Sequence, residues 1–166
     1  MRKQVLSLLV ENTSGVLSHI SGLFSRRGYN IDSFSAGVTA DPRFTRITIV
    51  TSGDELILSQ IERQVRKLED IIEIKELKPE ESVYRELIMV KIRADASQRS
   101  EVISLADIFR AKVVDVEKEC LMVELTGNQS KLEAFLNLLD GYEILELART
   151  GITGLARGIK DVTFID

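Results

Sequence analysis

Asn12-Thr13-Ser14-Gly15-Val16-Leu17 joins an alternating apolar run to a helical one, and its residue types offer a place for a small anionic group. A glycine at a helix entrance leaves backbone N–H groups uncovered, and the helix dipole adds positive potential there. That combination suits a carboxylate. The same spacing also fits an ordinary capping turn. A second polar cluster, Tyr29-Asn30-Ile31-Asp32-Ser33, opens the next extended run. In a lone domain Asn30 serves a turn; at a strand-paired interface it faces the loop of a neighbour.

Catalytic chemistry is harder to find. General acid–base work needs a histidine or paired carboxylates in a cleft. The single histidine, His19, lies off the apolar stripe of its helix and is expected on the surface. The single cysteine, Cys120, falls in the apolar run Cys120-Leu121-Met122-Val123 and is expected to be a buried structural thiol. One His and one Cys, far apart, make neither a nucleophile–base pair nor a zinc site. Glu62 and Arg66 are spaced as a surface i,i+4 pair. No catalytic residue, metal ligand or cofactor site is expected in this chain.

Composition narrows the partners. The 166 residues are 44% hydrophobic and 29% charged, enough apolar surface for one ordinary domain or two small ones. Aromatics are only 5% with no Trp, so the core must be built from Ile, Leu and Val. The net charge is −4, and neither half carries the positive excess of a phosphate-binding surface. Nucleic acid is therefore not expected as a partner. No apolar run reaches the ~18 residues of a membrane span, and the N-terminus does not look like a signal peptide. With one cysteine, the expected compartment is the cytoplasm.

The elements that must position the polar clusters come in two copies. In the first, strand residues Gln4–Val10 precede a helix with the stripe Val16, Leu17, Ile20, Leu23 and Phe24, which Arg27-Gly28 ends. Strands from about Tyr29 to Val38 and from Thr45 to Thr51 form a hairpin around Asp41-Pro42. A helix with Leu58, Ile61, Val65 and Leu68, and a strand Ile71–Leu77, complete βαββαβ. After a polar linker at Lys78–Ser82 the order repeats. Strand Glu86–Ala94, helix Ser97–Arg110, strands Lys112–Val116 and Cys120–Thr126, helix Asn128–Asp140 and strand Tyr142–Leu147 follow. One apolar stripe per helix lets two helices cover one face of a four-stranded antiparallel sheet.

The expected fold is thus α+β: two tandem ferredoxin-like βαββαβ sandwiches, over residues 1–78 and 83–166. The Gly-rich end, Thr150 to Gly158, lacks periodicity and the Lys-Ser/Thr of a phosphate loop, so it reads as a flexible arm or docking peptide within the second domain. RNA-recognition domains share this element order but stack bases on aromatics of their two central strands. The matching strands here are aliphatic, with Phe44 just outside.

Val10 to Leu17 followed by Leu23 to Ile31 resembles an ACT domain, the ligand-sensing unit of many amino-acid-metabolising enzymes. Together with Arg46–Ile49, Gln60–Leu68, Glu86–Ile92 and Ala148–Gly151, these segments resemble the small-subunit family of acetolactate synthase (acetohydroxyacid synthase) from about Leu6 to Gly158. The resemblance implies a regulatory subunit in branched-chain amino acid biosynthesis, of valine and isoleucine among others. Such a subunit has no active site of its own. It activates a separate large catalytic subunit that uses thiamine diphosphate, Mg²⁺ and FAD, and confers feedback inhibition by valine or another branched-chain amino acid. It further implies a homodimer through the ACT domains, with effector held by Asn12, Gly15, Val16, Leu17, Asn30 and Ile31. The second unit, whose loop Asp95–Ser100 lacks the Asn-x-x-Gly arrangement, and the Gly-rich tail are then candidates for relaying the signal. A free-standing ACT sensor serving another enzyme or a transcription system is the alternative.

Overall fold

The computed structural model describes residues 1–159 and 162, and these form two compact units. In the first, β1 (Arg2–Glu11), α1 (Val16–Arg27), β2 (Ile31–Val38), β3 (Phe44–Gly53), α2 (Glu55–Arg66) and β4 (Ile71–Glu76) follow in the expected order. The sheet is antiparallel with strand order β2-β3-β1-β4. Alternation puts Leu6, Leu8 and Val10 of β1 beside Ile49, Ile47 and Thr45 of β3 on the face the helices cover. Against them pack Val16, Ile20, Leu23 and Phe24 of α1, with Leu58, Ile61 and Val65 of α2, all buried. The aliphatic core expected from composition is what the two helix stripes enclose.

The second unit repeats the plan with β5 (Ser82–Arg93), α3 (Arg99–Ile108), β6 (Lys112–Val116), β7 (Cys120–Gly127), α4 (Gln129–Leu138) and β8 (Ile144–Arg149). Its strand order is β6-β7-β5-β8. Ile88, Val90 and Ile92 face Val102, Ala106, Leu132 and Phe135, with Phe109 edge-on to Phe135 at 5.3 Å between ring centres. Ala148-Arg149-Thr150-Gly151 closes this unit: Arg149 Nε pairs with the buried Glu86 carboxylate at 2.6 Å, and Thr150 Oγ1 accepts from Leu87 N at 3.1 Å.

Three expectations are corrected, for the linker, the tail and Cys120. The linker at Lys78–Ser82 is not slack: Pro79–Glu81 forms a 3₁₀ turn and β5 begins at Ser82, so Val83 and Tyr84 belong to the first unit. The tail, expected as a loose part of a domain 83–166, instead joins the first unit over residues 152–159. There β9 (Thr153–Ala156) pairs with β5, and Ile152 and Ala156 cover Val5, Val50, Leu77 and Tyr84. Ile152 N donates to Ser33 Oγ at 3.0 Å and Arg157 N to Glu81 O at 2.8 Å. Four residues interrupted by glycine carry no periodicity, so only these partners reveal the strand. Cys120 is half-buried rather than buried, and free. His19 is exposed as expected, with Nδ1 2.6 Å from Asp70 Oδ2.

Gly154 permits the tail's close approach, because a Cβ there would lie 2.9 Å from both Tyr84 Cδ1 and Val83 O. Gly154→Val is expected to lift the tail from the first unit. In hydrogen exchange, the Ile152 and Arg157 amides should then lose protection while that of Val90 keeps it. Unchanged protection at Ile152 would refute the requirement for glycine.

Candidate effector site

At the end of β1 the chain is tied to both neighbouring connections: Glu11 N donates to Asp70 O at 3.1 Å and Asn12 N to Arg43 O at 2.8 Å. The Asn12 side chain reinforces this, its Nδ2 donating to Pro42 O at 3.0 Å and its Oδ1 accepting from Thr45 Oγ1 at 3.1 Å. One N–H and one lone pair of that amide remain for another group. Beside it, the Arg43 guanidinium lies 5.2 Å from the centre of the Phe44 ring. The β2–β3 hairpin is thereby held against the entrance of α1.

Gly15 makes that entrance possible. It occupies the left-handed region at φ 94°, ψ −13°, where a side chain brings strain, and its carbonyl accepts from His19 N at 2.9 Å. No side chain caps α1 and its first turn holds no acidic residue. By contrast, Asp54 caps α2 through Ile57 N and Asn128 caps α4 through Lys131 N, each at 2.9 Å. Among the described residues no side chain caps the first N–H groups of α1, and the helix dipole adds positive potential there.

Next to this entrance lies a pocket of about 260 Å³, floored by Val10, Ala36, Val38, Thr45 and Ile47 and walled by Asn12, Val16 and Leu17. It falls below the ~300 Å³ at which drug-sized ligands begin to fit, the scale of one small metabolite. Of the residues expected at a site, Asn12, Val16 and Leu17 meet here, with Gly15 shaping the turn. Asn30 and Ile31 do not. Ile31 pairs with Thr51 at one end of β2 and Val38 pairs with Thr45 at the other, a strand length of roughly 23 Å apart. Ala36, Val38, Thr45 and Ile47 were not anticipated, since only sheet register brings them under the first loop.

The second unit reproduces the backbone of this corner without its side chains. Arg93 N donates to Glu143 O at 2.9 Å and Ala94 N to Glu119 O at 2.8 Å, matching the bonds of Glu11 and Asn12. Ala94 thus replaces Asn12, Ser97 replaces Gly15, and Arg99 replaces Leu17. Arg99 donates to the carbonyls of Glu117 and Lys118 at 3.2 Å. Asp95 accepts from Ser97 N at 2.9 Å, Ser97 Oγ at 2.5 Å and Gln98 N at 3.1 Å. The place open at α1 holds the chain's own carboxylate at α3.

Fold and pocket together define the class, a chain of ACT type built from paired ferredoxin-like sandwiches. Residues 6–73 match the family model for an "AHAS small subunit-like ACT domain", and residues 85–158 match that for the "Small subunit of acetolactate synthase". The chain belongs to the acetolactate synthase small-subunit family. It is 46% identical over 157 residues to the probable acetolactate synthase small subunit of Methanothermobacter thermautotrophicus, covering 94% of each chain. The isozyme 3 small subunit of Escherichia coli is 46% identical over 159 residues, covering 95% of this chain and 98% of that one. The crystal structure of the Thermotoga maritima small subunit superposes with a TM-score of 0.89 at 38% identity, over 96% of this chain and 99% of that chain. No helix of the described residues is long and apolar enough to cross a membrane.

The Ser97 hydroxyl, followed by the Gln98 N–H, holds the Asp95 carboxyl below its usual range. A depressed folded pKa adds stability above the ordinary Asp value of about 3.9, and that stability is lost as pH falls. Asp95→Ala should therefore unfold at lower urea than the parent at pH 6, with the gap narrowing toward pH 2. A gap that widens in acid would contradict this role for the carboxylate.

Proposed function

We propose that this chain is the regulatory subunit of an acetolactate synthase in the cytoplasm. In this role it binds and activates a separate catalytic subunit that carries thiamine diphosphate, Mg²⁺ and FAD, and it brings feedback inhibition by valine or a related branched-chain amino acid. Family membership supports the partner. The pocket beside an uncapped helix supports the effector, which pairs a carboxylate with a small apolar side chain.

The observation that carries the effector site is the split position of its candidate residues along β2. This strand is an edge of its sheet, with one row of backbone groups open to pairing. A two-fold axis through its middle sets β2 antiparallel to its copy and brings Ile31 of one copy opposite Val38 of the other. Asn30 and Ile31 then close the pocket that Asn12, Gly15, Val16 and Leu17 begin. The homodimer thus completes two sites, each from two chains, with the N–H groups after Gly15 toward the carboxylate. The apolar side chain lies among Val16, Val38 and Ile31.

A ligand held between two copies favours one arrangement of the pair by its difference in affinity for the alternatives. The catalytic subunit, bound to that pair, feels the same difference. Gly15→Asp adds backbone strain and an anion where the effector carboxylate binds. Reconstituted with the catalytic subunit, this variant should still activate it yet lose valine inhibition, and Asn30→Ala should do the same from the far end of β2. Undiminished valine binding to Gly15→Asp by calorimetry would overturn the site.

A further inference from the structure

β2 contains one irregularity. Ile31 pairs with Thr51 and Ser33 with Val50, so Asp32 is an extra residue bulged out of the ladder. Bulges re-aim side chains, and this one turns the Asp32 carboxylate onto two donors. Its Oδ2 accepts from Ser52 Oγ of β3 at 2.8 Å, and its Oδ1 accepts from Asn30 Nδ2. The next residue, Ser33, is fastened by Ile152 N.

A carboxylate can only accept, so the Asn30 amide has one possible orientation here: the NH₂ end toward Asp32 and the carbonyl oxygen away from it. No described group donates to that oxygen. Asn30 therefore presents an acceptor, with the Asp32 charge behind it. Without Asp32 the amide is free to turn and offer its NH₂ group instead.

We propose that Asp32 is a positioning residue that fixes Asn30 as an acceptor and thereby makes the effector site select 2-amino acids over the matching 2-oxo acids. The inference rests on the seam site proposed above. Carboxylate and side chain are common to both classes, so the first loop and the apolar floor do not tell them apart. Only the ammonium distinguishes the amino acid. It donates to the Asn30 oxygen and gains from the nearby anion, whereas a 2-oxo group has no proton to give and repels both oxygens. A site built around such a donor rejects the analogue that lacks it, because the acceptor is left without a partner.

The test is calorimetry on the full chain, titrated separately with L-valine and with 3-methyl-2-oxobutanoate, its 2-oxo counterpart. The parent should prefer valine by at least about tenfold, as expected where an unmade hydrogen bond decides selectivity. Asp32→Ala should bring that ratio close to one, mainly by weakening valine. Ser52→Ala, which removes the other anchor from a different strand, should shift the ratio the same way by less. Asp32→Glu should restore it. A purely structural role weakens both ligands by one factor, so an unchanged ratio in Asp32→Ala would overturn the inference. Asn30→Ala separates the two layers: valine binding unaffected by Asn30→Ala would refute the seam site itself. Valine binding lost in Asn30→Ala, with the ratio kept in Asp32→Ala, would refute only the role of Asp32.

Discussion

The antiparallel ladder between β1 and β3 runs unbroken from Arg2 opposite Gly53 to Glu11 opposite Phe44, and the first unit is arranged around it. Leu6, Leu8, Ile47 and Ile49 on its covered face are fully buried. A slip of one residue would turn those side chains outward, so burial enforces the register. The register in turn decides what meets at each end. Thr45 arrives beneath Val10 and beside Asn12, which makes the pocket floor. Ser52 arrives beside the bulge in β2, where it anchors Asp32.

A site divided along an edge strand has a physical consequence. On the proposed reading, one copy holds the carboxylate end of the pocket and the completing groups lie a full strand away in the same chain, so an effector bound across two copies is sensitive to how those copies are set. The apolar floor suits a small branched side chain, and the polar groups proposed at the two ends supply the discrimination, because an unmet donor or acceptor costs more than a misplaced methyl group.

The two units show how differently two corners built on one backbone plan can be furnished. Both begin their first helix after the same pair of backbone hydrogen bonds. In the first unit a glycine at positive φ leaves that helix uncapped. In the second, Asp95 satisfies the same backbone donors and Arg99 reaches the hairpin carbonyls where Leu17 lines a pocket. In the second unit the chain's own charged groups therefore occupy the corner that is open in the first.

Local patterning was enough for the element order, the two βαββαβ units and most of the core. Stripes such as Leu58, Ile61 and Val65, and alternation such as Leu6, Leu8 and Val10, state which face each element must bury. The loop from Asn12 to Leu17 was legible for the same reason: glycine and polar residues at a change of period are a local signal. Other features depend on partners distant in the chain. Val38, Thr45 and Ile47 enter the pocket through strand register, the tail strand pairs where Val5, Val50 and Tyr84 receive it, and Asp32 is anchored by Ser52 from the neighbouring strand. By itself the sequence determined the two βαββαβ units, most of their buried faces and the polar loop at the entrance of α1, because each follows from backbone preference and burial within a few residues. Only the tertiary structure decided the pocket floor, the allegiance of the tail and the separation of Asn30 from Asn12, because those are set by pairing across the sheet.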